Sequence, residues 1–140
     1  MYETMAQYQE HFGDFDKQIE ALRNRYQIYE DLYGHSDKKS IKAKRTIAMI
    51  YLKREKYPEC INELEDVLEI EEKIYGENSV QVGKTMKVLG TVNLSVKNMT
   101  EADQYLKKAQ KILHEQGYPK LVKEIKSKMA ILKDAKEDKK

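Results

Sequence analysis

The sequence predicts an all-α protein, a right-handed α-solenoid of about three helical repeats followed by a C-terminal capping helix. Sliding the chain against itself by 42 positions aligns, without a gap, three segments that begin at Asp14, Lys56 and Asn98. The composition also disfavours a β-sandwich or barrel, because the 140 residues include only six Gly and two Pro. The repeat is therefore built from helices.

Each repeat is predicted to contain two helices, because apolar residues recur at helical spacing on both sides of a short turn. We expect these turns at residues 12–16, 56–58 and 97–100. The second helix ends at Gly34 or Gly76, and Asp37 or Ser79 can cap the helix that follows. The predicted boundaries are 1–35 for repeat 1 with a shortened first helix, 36–77 for repeat 2, 78–117 for repeat 3, 118–133 for the capping helix and 134–140 for a disordered tail.

The capping helix is predicted from one apolar stripe at helical spacing, formed by Leu121, Val122, Ile125, Met129 and Leu132. Lysines occupy the opposite face. Such a helix covers the apolar side of the last repeat, as a helical solenoid requires.

Three recurring features carry a family resemblance. A large residue followed by a small one recurs in each first helix, as 5–6, 47–48 and 89–90. The second helix has a small residue near its start at Cys60 and Ala102, although Gln18 stands there in the first unit, and Tyr-Gly closes the first two units. Together these features resemble the tetratricopeptide repeat. The 42-residue period is similar to the long-helix variety found in kinesin light chains.

The resemblance implies a binding surface, because first helices line the concave face in this family. Residues 38–56 carry eight basic residues and one acid, whereas residues 59–77 carry eight acids and one lysine. The concave face is therefore expected to be a basic trough with apolar footholds, suited to an acidic peptide or helix. An alternative stays open, in which these lysines only solvate an exposed face. The expected binding residues are Lys42, Arg45, Met49, Leu52, Lys53, Lys84, Lys87, Thr91 and Leu94.

No catalytic or metal-binding pattern is evident in the sequence. The three histidines, His11, His35 and His114, are far apart in the sequence, and Cys60 is the single cysteine. Acid pairs such as Glu71–Glu72 are interpreted as a solvated face. We therefore expect no enzyme activity, no metal and no cofactor. Only four of the 26 basic residues are Arg, which disfavours nucleic acid as a partner.

The expected function is a non-catalytic adaptor or scaffold that holds a partner protein. The sequence shows no transmembrane or secretory pattern, so we expect a cytoplasmic protein that does not bind membranes. The resemblance to kinesin light chains implies a cytoskeletal setting, in microtubule-based transport or a cilium. The alternative is a structural role, as a segment of a longer solenoid or through self-association of the N-terminal helix at Met5 and Tyr8.

Overall fold

A computed structural model describes the backbone of residues 5–34 and 36–138 and the side chains of residues 15–34 and 36–134. Within these residues the chain forms six α-helices and no strand, which confirms the predicted all-α class. The helices are α1 (Met5–Tyr33), α2 (Lys38–Lys53), α3 (Tyr57–Tyr75), α4 (Val80–Ser95), α5 (Met99–Glu115) and α6 (Pro119–Asp138). Each helix packs against the next along the chain, and α4 also contacts α6.

Two helix pairs, α2 with α3 and α4 with α5, repeat the same local geometry. The turn inside each pair places one residue in the left-handed region, Glu55 at φ 58° and Lys97 at φ 65°. Gly76 follows α3 at φ 97°, a conformation that glycine adopts without a steric penalty. Ser79 then caps α4, because its hydroxyl accepts a hydrogen bond from the Val82 N–H. The predicted end of one helix and start of the next are therefore confirmed here.

The hydrophobic core lies between the paired helices, where Leu64, Leu89 and Leu106 are fully buried. Small residues allow a close approach between paired helices. A Cβ added at Gly90 would lie 2.7 Å from two carbons of the Leu106 side chain. Ala48, at the same position of the preceding unit, is also fully buried. The large-then-small residue pairs therefore mark where the two helices of a unit meet.

The first unit differs from the expected helical hairpin, because α1 continues without a break through the turn expected at residues 12–16. A hairpin would place Gln18 where Cys60 and Ala102 are fully buried in the other units. Gln18 is exposed on α1, and burying its amide against a second helix would cost free energy unless a hydrogen-bond partner were supplied. The first unit therefore contributes one long helix, and the repeat boundaries stay predictions.

The closing helix is longer than expected. Helix α6 continues to Asp138, so most of the tail predicted to be disordered is helical. The segment from Lys133 to Asp138 has no Gly or Pro, and four of its six residues are Lys, Ala or Glu, which favour helix. Residues 139–140 of that tail lie outside the described residues. Val122, Ile125 and Leu132 of α6 are buried, and the helix packs against α5.

Candidate partner-binding surface

Helices α2 and α4 carry matching outward rows of side chains, which we call the first-helix stripe. On α2 the stripe contains Lys42 and Lys53, which are exposed, and Met49, which is half-buried. On α4 it contains Lys84, which is exposed, and Thr91, which is half-buried, each 42 residues after its counterpart on α2. Five of the nine residues predicted from the sequence therefore lie on this stripe.

The Arg45 guanidinium is bonded to other residues of the fold. Its guanidinium donates to the Glu71 carboxylate at 2.9 Å and also to the Thr85 hydroxyl, which in turn donates to Glu71. Glu71 is 3% exposed and Thr85 is fully buried. Because Glu71 has left water, the charge-assisted bonds from Arg45 stabilise it, and removing them would leave a buried charge without its cation. Arg45 thus ties α2 to α3 and α4, and Glu71 is not on the solvated face expected from the sequence.

Lys87, the counterpart of Arg45 one unit later, is also paired. Its ammonium contacts the Glu124 carboxylate of α6, and this pairing lowers the pKa of Glu124. The Glu124 side chain is 54% exposed, so solvent weakens the pair relative to the Arg45–Glu71 pair. Lys87 therefore joins α4 to α6 at the surface.

The two predicted apolar footholds, Leu52 and Leu94, occupy equivalent positions on α2 and α4. Both are half-buried, and Leu52 packs against the main hydrophobic core. They lie at the edge of the first-helix stripe. Each keeps part of its surface exposed, and a partner can contact that surface while the side chain stays packed in the fold.

A shallow depression between α1 and α2 adjoins Lys42. Leu22, Tyr29 and Tyr33 of α1 line it together with Lys39 and Lys42 of α2. The Tyr29 and Tyr33 rings lie 6.1 Å apart, and the Lys39 ammonium lies 4.4 Å from the centre of the Tyr33 ring. The depression thus combines aromatic surface with positive charge next to the stripe.

A model of the tetratricopeptide repeat family matches residues 40–115, more than half of the chain. The chain belongs to the tetratricopeptide repeat family. The matched region spans α2 to α5, the two complete helix pairs. Repeats of this family typically form non-catalytic modules for protein–protein interaction.

Solved structures share the tetratricopeptide fold of this chain. BtubC (BKLC) from P. vanneervenii superimposes with a TM-score of 0.62 at 16% identity, covering 95% of this chain and 62% of its own. A putative kinesin light chain from Podosopora anserina, with nearly identical TPR-like repeats, superimposes with a TM-score of 0.63 at 16% identity, covering 80% of this chain and 53% of its own. The chain therefore spans between half and two thirds of the length of these neighbours. No curated protein sequence matches it.

A second buried carboxylate of the middle repeat was not anticipated from the sequence. Glu63 is 7% exposed, and its Oε1 accepts a hydrogen bond from Arg23 of α1 at 2.7 Å, while its Oε2 lies 3.0 Å from Lys44 Nζ of α2. Glu63 and Glu71 occur three and eleven residues after Cys60, on the buried face of α3. This spacing could have identified the two buried glutamates from the sequence, because an acid on an apolar helical stripe needs a cation from a neighbouring helix.

Two structural features bear on other classes of function. Across residues 15–34 and 36–134, no group of three or more His, Cys, Asp or Glu side chains is arranged to hold a metal ion. None of the helices in the described part of the repeat array is long and apolar enough to cross a membrane.

Proposed function

We propose that this tetratricopeptide repeat protein is a non-enzymatic adaptor that binds a peptide or helix of a partner protein on the surface formed by α2 and α4. The observation that carries the proposal is the first-helix stripe. Its lysines Lys42, Lys53 and Lys84 are exposed, with Met49 and Thr91 between them. Exposed cations speed the encounter with an acidic segment, and the half-buried side chains offer surface that the partner can desolvate.

The remaining predicted residues have supporting roles in this proposal. Leu52 and Leu94 supply apolar contact at the border of the stripe. Arg45 and Lys87 hold the helices that carry the stripe, because their charges are used in pairs with Glu71 and Glu124. The depression beside Lys42 extends the surface toward α1, where Tyr29 and Tyr33 can stack on a bound chain.

The cellular setting that we propose is a cytoplasmic assembly associated with microtubules or a cilium. The support is the 42-residue period and the shared fold with a putative kinesin light chain. The partner proposed for this surface is an acidic peptide or the acidic side of a helix, since the stripe itself is basic.

The experiment is affinity capture of partners from cell extract with mass spectrometry, comparing wild type with Lys42→Glu/Lys84→Glu. This pair reverses two exposed charges at equivalent positions, so the fold should be preserved, which circular dichroism checks. The matched control is Lys17→Glu/Lys73→Glu, which makes the same charge change at two exposed lysines of α1 and α3. We expect a partner to be lost with the first pair and retained with the control. Retention with both pairs would contradict a binding role for the stripe.

A second candidate is a structural role, supported by an uncovered apolar face on α1. Ile28 is 55% exposed and Leu32 is 67% exposed, whereas the counterparts of Ile28 in the next units, Ile70 and Ile112, are 2% and 5% exposed. Ile41 of α2 packs in one buried cluster with Ile70. The side chains of Met5 and Tyr8, through which self-association was expected, lie outside the described residues.

This structural candidate predicts association that depends on concentration. Sedimentation velocity of the wild type should show a reversible dimer, and Ile28→Lys/Leu32→Lys should stay monomeric at every concentration. The control is Ile131→Lys on α6, which replaces another exposed apolar residue. A wild type that is monomeric throughout would contradict self-association through α1.

A further inference from the structure

A second positively charged surface lies between the last two helices. α5 and α6 form an open groove whose floor includes Val122. The groove continues along both helices to Met129 and Lys133. The lysines along it are Lys107 and Lys111 of α5 and Lys123, Lys126 and Lys133 of α6, and His114 of α5 also lines it.

The charge of this groove is not neutralised by the fold. Among the described residues no carboxylate pairs with Lys111, Lys123 or Lys126, whereas Lys107 pairs with Asp103 at 3.0 Å. Residues 104–133 contain eight lysines and only two acids. Arg45 differs from these cations, because it forms an ion pair with the buried Glu71.

The shape of the groove is that of a helix site. One unit earlier, α5 packs on α4 at Gly90, and its Tyr105 side chain reaches Glu65 of α3. Burial and the Glu65 carboxylate raise the pKa of Tyr105 accordingly. Since α6 follows α5 as α4 follows α3, the groove between α5 and α6 has room for a helix in the same place.

The lining of the two grooves has opposite charge. At the 42-residue spacing, Glu65 and Glu69 of α3 are replaced by Lys107 and Lys111 of α5, and Glu72 is replaced by His114. The α4 side of the earlier groove includes Gly83 and Gly90, which admit the close approach of α5. The α6 side instead carries Lys126 and Lys133, which hold an incoming backbone farther away and favour long acidic side chains.

We propose that the groove between α5 and α6 binds an acidic α-helix of another protein. Glutamates of that helix pair with Lys111, Lys123 and Lys126, and an apolar residue beside them packs on Val122. This site is separate from the first-helix stripe on α2 and α4, so either surface can bind while the other does not.

The test uses a fluorescein-labelled synthetic helix of about five turns, with glutamates along one face and leucines beside them. Binding to the full chain is followed by fluorescence anisotropy at physiological salt. The groove variant is Lys111→Glu/Lys126→Glu, and the control is Lys17→Glu/Lys73→Glu, which makes the same charge change at two exposed lysines of α1 and α3. A second control is the same peptide with every Glu replaced by Gln.

We expect the groove variant to bind the Glu helix about tenfold more weakly than wild type and the control variant to bind within about twofold of it. In ¹H–¹⁵N spectra, the peptide should shift amides of α5 and α6 rather than those of α2. Equal weakening in both variants, or equal binding of the Gln peptide, would overturn the proposal. So would a single-stranded RNA or an anionic vesicle that binds more tightly than the Glu helix and is lost in the groove variant. Loss of a cellular partner with Lys42→Glu/Lys84→Glu, by contrast, concerns only the stripe.

Discussion

The middle repeat and the third repeat share one register, but different kinds of contact hold their helices against adjacent helices. The middle pair, α2 with α3, buries Glu63 and Glu71 and pairs them with cations from α1 and α2. The third pair, α4 with α5, buries Gly83 and Gly90 against apolar side chains of α5. The 42-residue period thus fixes where helices lie, while the residues at equivalent positions decide whether a contact is ionic or apolar.

The largest effect of a single substitution is expected for the core that both repeats share. Leu64 and Leu106 occupy equivalent positions and are fully buried. Leu64→Ala and Leu106→Ala should each lower the free energy of unfolding by about 3 kcal/mol, since each leaves a cavity in a packed core. Urea denaturation monitored by circular dichroism measures both. A difference larger than about 2 kcal/mol between them would show that the two cores are not equivalent.

The next effect sharpens the difference between the repeats. Gly90→Ala should destabilise the protein by about 2 kcal/mol, because the new methyl group would press on the Leu106 side chain and approach the Leu106 backbone nitrogen at 3.3 Å. Ala48→Gly, at the same position of the middle repeat, should cost only about 1 kcal/mol from lost helix propensity. Thermal melts of both variants measure these losses of stability. A Gly90→Ala variant that is more stable than wild type would show that α4 and α5 have room to separate.

The smallest effect concerns a feature that the repeats share. Glu55 and Lys97 adopt the left-handed conformation at the turn of each pair, where a side chain is disfavoured. Glu55→Gly and Lys97→Gly should each raise the free energy of unfolding by about 0.5 kcal/mol, as relief of strain outweighs the greater freedom of the unfolded chain. Guanidinium melts that show a loss for either variant would mean that the native side chain stabilises its turn.

Several features of the fold could be predicted from the sequence because they depend on local chemistry. Gly76 and Ser79 determine how α3 ends and α4 begins, whatever lies around them. Ala48 and Gly90 mark helix contacts because a small residue that recurs at a fixed period is typical of a place where two helices approach closely. The continuity of α1 was missed because it depends on whether Gln18 can be buried against a second helix, and that depends on packing.

The candidate site was only partly predictable, for an electrostatic reason. Lys42 and Arg45 are both cations on one helix, and the sequence places them three residues apart without showing which one meets a carboxylate. The partner of Arg45 lies 26 residues away in Glu71, so its role depends on how α3 packs against α2. Lys42, pointing away from that contact, remains exposed.

The most direct test of this account compares Arg45→Glu/Lys87→Glu with Lys42→Glu/Lys84→Glu. Both pairs lie on α2 and α4, both are spaced by 42 residues, and both make the same change in net charge. Denaturant titration of the two variants measures the free energy of unfolding. The account predicts a loss of more than about 3 kcal/mol for the first pair, because a second carboxylate is forced against the buried Glu71, and a change within about 0.5 kcal/mol for the second. Equal losses would contradict the division of these cations into those that hold the fold and those that face a partner.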